Sequence, residues 1–391
     1  MVALVGVIGI AALGVSPLLG LSRMFADDRR AESFRTLHRL LPSRSVVPAS
    51  TPWPFSVQER PLPPSYPFAD EDRSLVSFLE RTETTGLLVA RDDVIVHESY
   101  APGYDDASLV TSFSVAKSVT SALIGIALDR GAIRSLDDSI SDYVPELAQS
   151  AYAGVAIGDI ISMSSGVAWS ESYDDPDSDV MRLPLSLFVL RRSAPTVLAG
   201  LPRKHAPGSV RHYSSADALA LGLLLERATG THLAAFLEEV LWGPAGMSSP
   251  AAWGTDRHGN VLAYAFLGAT LRDYARFGRL FLHGGRRDGT QVVPAAWVEA
   301  SLTPGAAMVD RDEGDGFGAG FEYGYQWWLP VDGDGEAIAM GIYGQFVYVH
   351  RGIGVVIVKI STDPHFAGRE HETLAAFRAI GRSVITAERA E

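Results

Sequence analysis

The chain has no cysteine among its 391 residues. That excludes disulfides, thiolate metal sites and a cysteine nucleophile. Lysine is nearly absent too: Lys117, Lys204 and Lys359 stand alone among many arginines. Positive charge as a whole is short, with 33 basic against 46 acidic side chains and a formal net charge of −13. A balance of that sign argues against a nucleic-acid partner. There is no phosphate loop and no dinucleotide fingerprint. There is no Gly-x-Ser-x-Gly elbow, which argues against an α/β-hydrolase. The ten histidines are scattered without metal spacing, and His371-Glu372 is not followed by the second histidine of a zincin. No metal and no organic cofactor is expected.

Long uncharged runs are also scarce, and the one present is N-terminal. Val2 to Ser22 carries no charged residue. This is about the length that crosses a bilayer, and the glycines and Pro17 within it are tolerated in membrane helices. It lacks a basic start and a small-x-small cleavage site, so an anchor is expected ahead of a cleaved leader. The mixed charges of Arg23, Asp27, Asp28, Arg29 and Arg30 leave its orientation open. A membrane-anchored or exported protein is therefore expected, with a cytoplasmic one as the alternative.

Scarcity gives Lys117 its weight. In Ser114-Val115-Ala116-Lys117 a serine and a lysine lie three apart at the start of an apolar run to Leu128. On a helix both side chains share one face, with Cβ atoms about 5–6 Å apart. An amine can take a hydroxyl proton across that gap. The helix start adds unpaired N–H groups and positive potential for an oxyanion. Burial and the helix end both push the lysine pKa down, as a base requires.

The rest of the chain falls into blocks. Residues 23–69 read as a Pro-rich connector after a short helix from Glu32 to Leu41. Thr85–Ala90 and Val94–Tyr100 read as a hairpin. Residues 136–300 read as mostly helical, with Ala216–Thr229 closed by Gly230 and Leu271–His283 stopped by Gly284-Gly285. Strands are expected at Tyr323–Leu329, Ala337–Ile342, Gln345–His350 and Gly354–Ser361, then a helix from His371 to Ala387. Residues 70–135 and 301–391 would form an α/β domain: an antiparallel sheet flanked by helices, interrupted by an all-α insert at 136–300. The cleft between the two is the expected site.

Tyr213, in Tyr213-Ser214-Ser215, precedes an apolar helix. Beside Lys117 it could lose its proton cheaply and serve proton transfer to a leaving group. Gly341, on a strand end, permits close backbone approach, and an N–H there could pair with that of Ser114 as an oxyanion hole. The acidic stretch from Tyr173 to Asp179 reads as a solvated loop, with calcium as the weaker reading.

These three stretches, in this order, resemble the serine β-lactamase and penicillin-binding superfamily on its class C side, over most of residues 70–385. Ser114-Val115-Ala116-Lys117 matches the first motif in full. Tyr213-Ser214-Ser215 matches Tyr-x-Asn at the tyrosine, and Ala339-Met340-Gly341 keeps only the glycine of Lys-Thr-Gly. The missing lysine and threonine are the groups that bind the carboxylate of penicillins and of D-Ala-D-Ala. Within the superfamily the chain is most similar to 6-aminohexanoate-dimer hydrolases and related carboxylesterases, through Ser162 to Gly166, Glu171 to Pro176 and Gly341-Ile342-Tyr343-Gly344-Gln345. The resemblance implies Ser114 as nucleophile, Lys117 as base and Tyr213 as proton carrier, with Ser114 and Ile342 amides as the oxyanion hole. It puts Tyr173 on a loop closing over substrate, with Ser215 and Gly341 as further substrate contacts. The expected activity is hydrolysis of small carboxylic esters or linear amides through an acyl-enzyme. A peptidoglycan D,D-peptidase or β-lactamase is the first alternative and a non-catalytic membrane-tethered binding module the second. Oligomeric state stays open.

Overall fold

A computed structural model describes residues 23–309 and 318–388. Its spine is an eight-stranded sheet. The spatial order is Phe321–Tyr323, Trp328–Pro330, Glu336–Gly341, Gln345–His350, Val355–Ser361, Thr84–Arg91, Val94–Tyr100 and Ser56–Val57. All neighbours are antiparallel except the last pair. The N-terminal hairpin thus pairs with the C-terminal strands, as the sequence implied. Val355–Ser361 sits centrally and every residue in it is buried. That explains its apolar run Val355–Val358, since a strand covered on both faces has no reason to alternate.

Helices Leu75–Arg81 and Glu370–Glu388 cover one face, packing Phe78, Leu374 and Phe377 on Leu87, Phe346 and Ile357. The opposite face carries Leu271–Leu282 and, beyond it, Val115–Asp129. At Gly278 a Cβ would lie 2.8 Å from Val356 and 3.0 Å from Val347, so glycine there lets the helix settle onto the sheet. The helix Val115–Asp129 has 13 of its 15 residues buried. It runs between the sheet and the helical region, packing against Ser215–Thr229, which Gly230 closes in the left-handed conformation at φ 64°.

Two regions differ from expectation. Residues 136–300 are not purely helical: Ala251–Gly254 and Leu267–Ala269 join Ser43–Val46 and Val110–Thr111 in a four-stranded sheet. These strands hold two to four residues each, too few to show a period of two. The Pro-rich connector is also more structured, because helix Arg30–Leu40 docks on this small sheet and buries Phe34 and Leu37. Among the described residues no helix is long and apolar enough to cross a membrane. The run Val2 to Ser22, on which the anchor expectation rests, lies outside the described residues.

Candidate active site

Ser114 occupies the N-cap of the buried helix, immediately after Phe113, whose φ is +43°. A non-glycine residue in that region stores strain of about 1–3 kcal/mol and turns the chain sharply. Phe113 is held there by aromatic packing on Phe34 and Tyr343, with centroids 4.9 and 5.4 Å away. The turn presents the Ser114 side chain to the region where the helical part meets the sheet.

Lys117 reaches back one helical turn. Its Nζ donates to Ser114 Oγ at 2.8 Å, Ser215 Oγ at 3.1 Å and the Tyr264 carbonyl at 3.3 Å. The side chain is fully enclosed, and burial lowers its pKa to about 8, against the opposing pull of Glu171. A minor but appreciable fraction is therefore neutral near physiological pH. Tyr213 lies over Lys117, with the ring centroid 4.7 Å from Nζ. The hydroxyls of Tyr213 and Tyr173 each share a hydrogen bond with Ser114.

The structure corrects one electrostatic expectation. Tyr213 does not lose its proton cheaply: burial first, and then the Glu171 charge, push its phenol well up. Tyr173 and Tyr264 are pushed the same way, also by burial first and Glu171 next. The resting phenols are proton donors, and the lysine is the group that can start neutral.

Gly341 ends the strand Glu336–Gly341 against the Phe113–Ser114 turn. A Cβ there would lie 2.5 Å from Ser112 O and 3.1 Å from Ser114 N, so only glycine permits the approach. Ile342 follows directly at the mouth of the hairpin turn. Ala339 and Met340 are both 1% exposed, so neither a cation nor a hydroxyl projects from that strand where Lys-Thr-Gly would supply both.

Ser215 is 1% exposed, and its hydroxyl is occupied between two protein groups rather than turned to a substrate. It accepts from Lys117 and donates to Glu171 Oε1 at 2.6 Å. Glu171 is the residue whose role sequence reasoning missed. Its carboxylate also takes the Ser215 N–H at 2.9 Å, the Tyr173 hydroxyl at 2.7 Å and the Trp169 indole N–H. It ties the loop, the Tyr213-Ser214-Ser215 turn and, through Ser215, the lysine into one network. The available signal was the alternation Trp169, Glu171, Tyr173, which puts three side chains on one side of an extended segment. Among the described residues no cluster of side chains could hold a metal ion.

A serine and lysine one helical turn apart, a facing tyrosine and a glycine-ended strand form the constellation of one large hydrolase family. The model of the Beta-lactamase family matches residues 73–380, and the chain belongs to that family. It is thus a serine hydrolase, of the class that acts on amides and esters. Among curated relatives, the 6-aminohexanoate-dimer hydrolase of Paenarthrobacter ureafaciens is 32% identical over 297 residues, covering 73% of this chain and 74% of the relative. A solved structure from Bacillus anthracis, provisionally assigned as a 6-aminohexanoate-dimer hydrolase, aligns with a TM-score of 0.84 at 23% identity, over 93% of this chain and 96% of that one. A penicillin-binding protein from Bacillus halodurans aligns at 0.60 with 18% identity, over 78% and 99% of the two chains. At those identities the two structures speak to the fold alone.

Proposed function

We propose that this protein cleaves small carboxylic esters or linear amides through an acyl-enzyme on Ser114. The 2.8 Å hydrogen bond from Lys117 to Ser114 carries the reading. Neutral Lys117 takes the hydroxyl proton as Ser114 Oγ attacks the carbonyl carbon. The Ser114 and Ile342 amides receive the oxyanion. Tyr213, held as a phenol, gives its proton to the departing alkoxide or amine and recovers one from Lys117. Water then attacks the acyl-enzyme by the same route in reverse. Tyr173 closes over the substrate, and Gly341 leaves room for it beside the nucleophile. Ser215 steadies Lys117.

The substrate class follows from what the third motif lacks. With Ala339 and Met340 buried, no cation waits there for a substrate carboxylate. This supports small carboxylic esters and linear amides over penicillins and D-Ala-D-Ala. The uncharged run Val2 to Ser22 supports membrane attachment, which fractionation of the full chain with and without that run would test. The decisive experiment is intact-mass analysis after incubation with p-nitrophenyl butyrate and, separately, a penicillin. Nitrophenol release abolished by Ser114→Ala, with no penicillin adduct, is expected. A stable penicillin adduct on Ser114 would hand the site to cell-wall chemistry.

A further inference from the structure

The hairpin turn that carries Ile342 is conformationally expensive. Gly341 pairs with Gln345 across it, and between them Tyr343 and Gly344 have φ of +61° and +82°. Tyrosine has no intrinsic preference for the left-handed region, and the excursion costs about 1–2 kcal/mol. Something must hold the turn. Outside it, the Tyr343 ring packs on Phe34, Phe113 and Phe366, with centroids 5.0, 5.4 and 5.4 Å away.

Inside it lies one side chain, Gln345, which is 1% exposed. Its Nε2 faces three backbone carbonyls: Ser361 at 2.7 Å, Tyr343 at 3.2 Å and Ile342 at 3.4 Å. Its Oε1 accepts the Ser361 N–H at 3.4 Å. The Asp363 N–H reaches the same Tyr343 carbonyl at 3.2 Å. One carboxamide thus ties both peptide planes of the turn to the end of the central strand. Fixing the Ile342 and Tyr343 carbonyls from within fixes the orientation of the Ile342 residue. The strand end is meanwhile wedged against Ser112 O and Ser114 N at Gly341.

We propose that Gln345 is a positioning residue for the oxyanion hole, aiming the Ile342 N–H at the oxygen that becomes charged on Ser114 attack. The proposal rests on the hydrolase reading above. Preorganised donors act in the transition state far more than in the ground state, so their loss falls on kcat.

The test compares Gln345→Met, which keeps length and bulk, with wild type. Rates are taken per active site titrated with a fluorophosphonate, so that unfolded molecules do not count. The expected result is a fall in kcat of about 30- to 300-fold with KM changed less than about threefold. Affinity for a boronic acid that mimics the tetrahedral oxyanion should fall in step, and affinity for the product carboxylate should hold. A purely structural role would lower the melting temperature and leave kcat per titrated site unchanged, which overturns the proposal. Should Gln345→Met fail to fold, Gly344→Ala strains the same turn, because its Cβ would meet Ser361 Cβ at 3.1 Å, and it is read in the same way. A wild-type protein that neither hydrolyses esters nor takes the fluorophosphonate defeats the hydrolase reading itself. A fully active wild type with an unaffected variant defeats only the positioning role.

Discussion

The molecule contains two buried lysine–serine pairs. Lys117 bonds Ser114 at 2.8 Å, and Lys359 bonds Ser361 at 2.5 Å. Both lysines are 1% exposed, and burial lowers both, to about 8 for Lys117 and about 7 for Lys359. By residue type and direction of pKa shift the two pairs are alike. The surroundings of the second deny it a reaction. Lys359 and Ser361 stand two apart on the central strand, and the lysine lies between the rings of Phe78 and Phe346, 5.6 and 5.8 Å from their centroids. The Ser361 N–H is taken by Gln345 and its carbonyl also accepts from Gln345. At Ser114, among the described residues, no hydrogen bond engages the backbone N–H, two tyrosine hydroxyls converge and a glycine-ended strand abuts it. A depressed lysine pKa makes a base available; on the proposed reading, an oxyanion site and a proton donor make the one at Ser114 useful.

Substitution separates the pairs. Ser114→Ala should lower ester hydrolysis by on the order of 10⁴-fold or more, measured as kcat/KM, because it removes the bond-forming atom. Lys117→Met should cost on the order of 10³-fold, with Ser114 still present but without its base. Lys359→Met should leave kcat within about threefold, since Lys359 bonds Ser361 and lies against Phe78 and Phe346 rather than Ser114. A large loss there would collapse the distinction drawn between the two sites.

Acidity sharpens it further. Lys117 acts as a base only when neutral, so activity should climb with pH through about 8. Glu171 is the charge that holds this lysine up against burial, so Glu171→Gln should move that limb to lower pH. A limb that stays fixed in the pH–rate profile would mean Glu171 does not set the base. The smallest effect is on stability. Lys359 is neutral in the folded state above about 7 but keeps its proton to about 10.5 when unfolded. The unfolded chain therefore binds more protons across that window, and wild-type stability rises with pH through it. Lys359→Met removes this contribution. Its melting temperature should exceed wild type most below pH 7, and the gap should narrow as the pH approaches 10.

The first pair was legible because it is local. Ser114, Lys117 and the helix that carries them need only a spacing of three and an apolar run. The terminal strands were legible for a similar reason: Gln345–His350 was read to the residue, and Val355–Ser361 missed by one. Glu171 was not. It sits among acidic residues in a loop, and its partner Ser215 is 44 positions away. Nothing in the loop itself distinguishes a partly buried, hydrogen-bonded carboxylate from its solvated neighbours. The small sheet of Ser43–Val46 and Val110–Thr111 escaped because its strands exist only through pairing with distant partners. The Tyr213 phenol was misjudged because its attraction to one lysine was visible in the sequence and its desolvation was not.

The short stretch leading into helix Arg30–Leu40, with the first residue of that helix, bears on how the protein is to be handled. Phe25 stacks on Tyr343 with centroids 5.9 Å apart, and Arg30 reaches the Thr362 carbonyl at 2.6 Å and Glu83 at 3.0 Å. These residues brace the Tyr343 turn and the end of the central strand from outside. Trimming the uncharged run Val2 to Ser22 for expression should therefore stop before Arg23; a cut at residue 30 or 42 would yield a shorter enzyme with a looser hairpin, and its kinetics would describe the trimming rather than the protein.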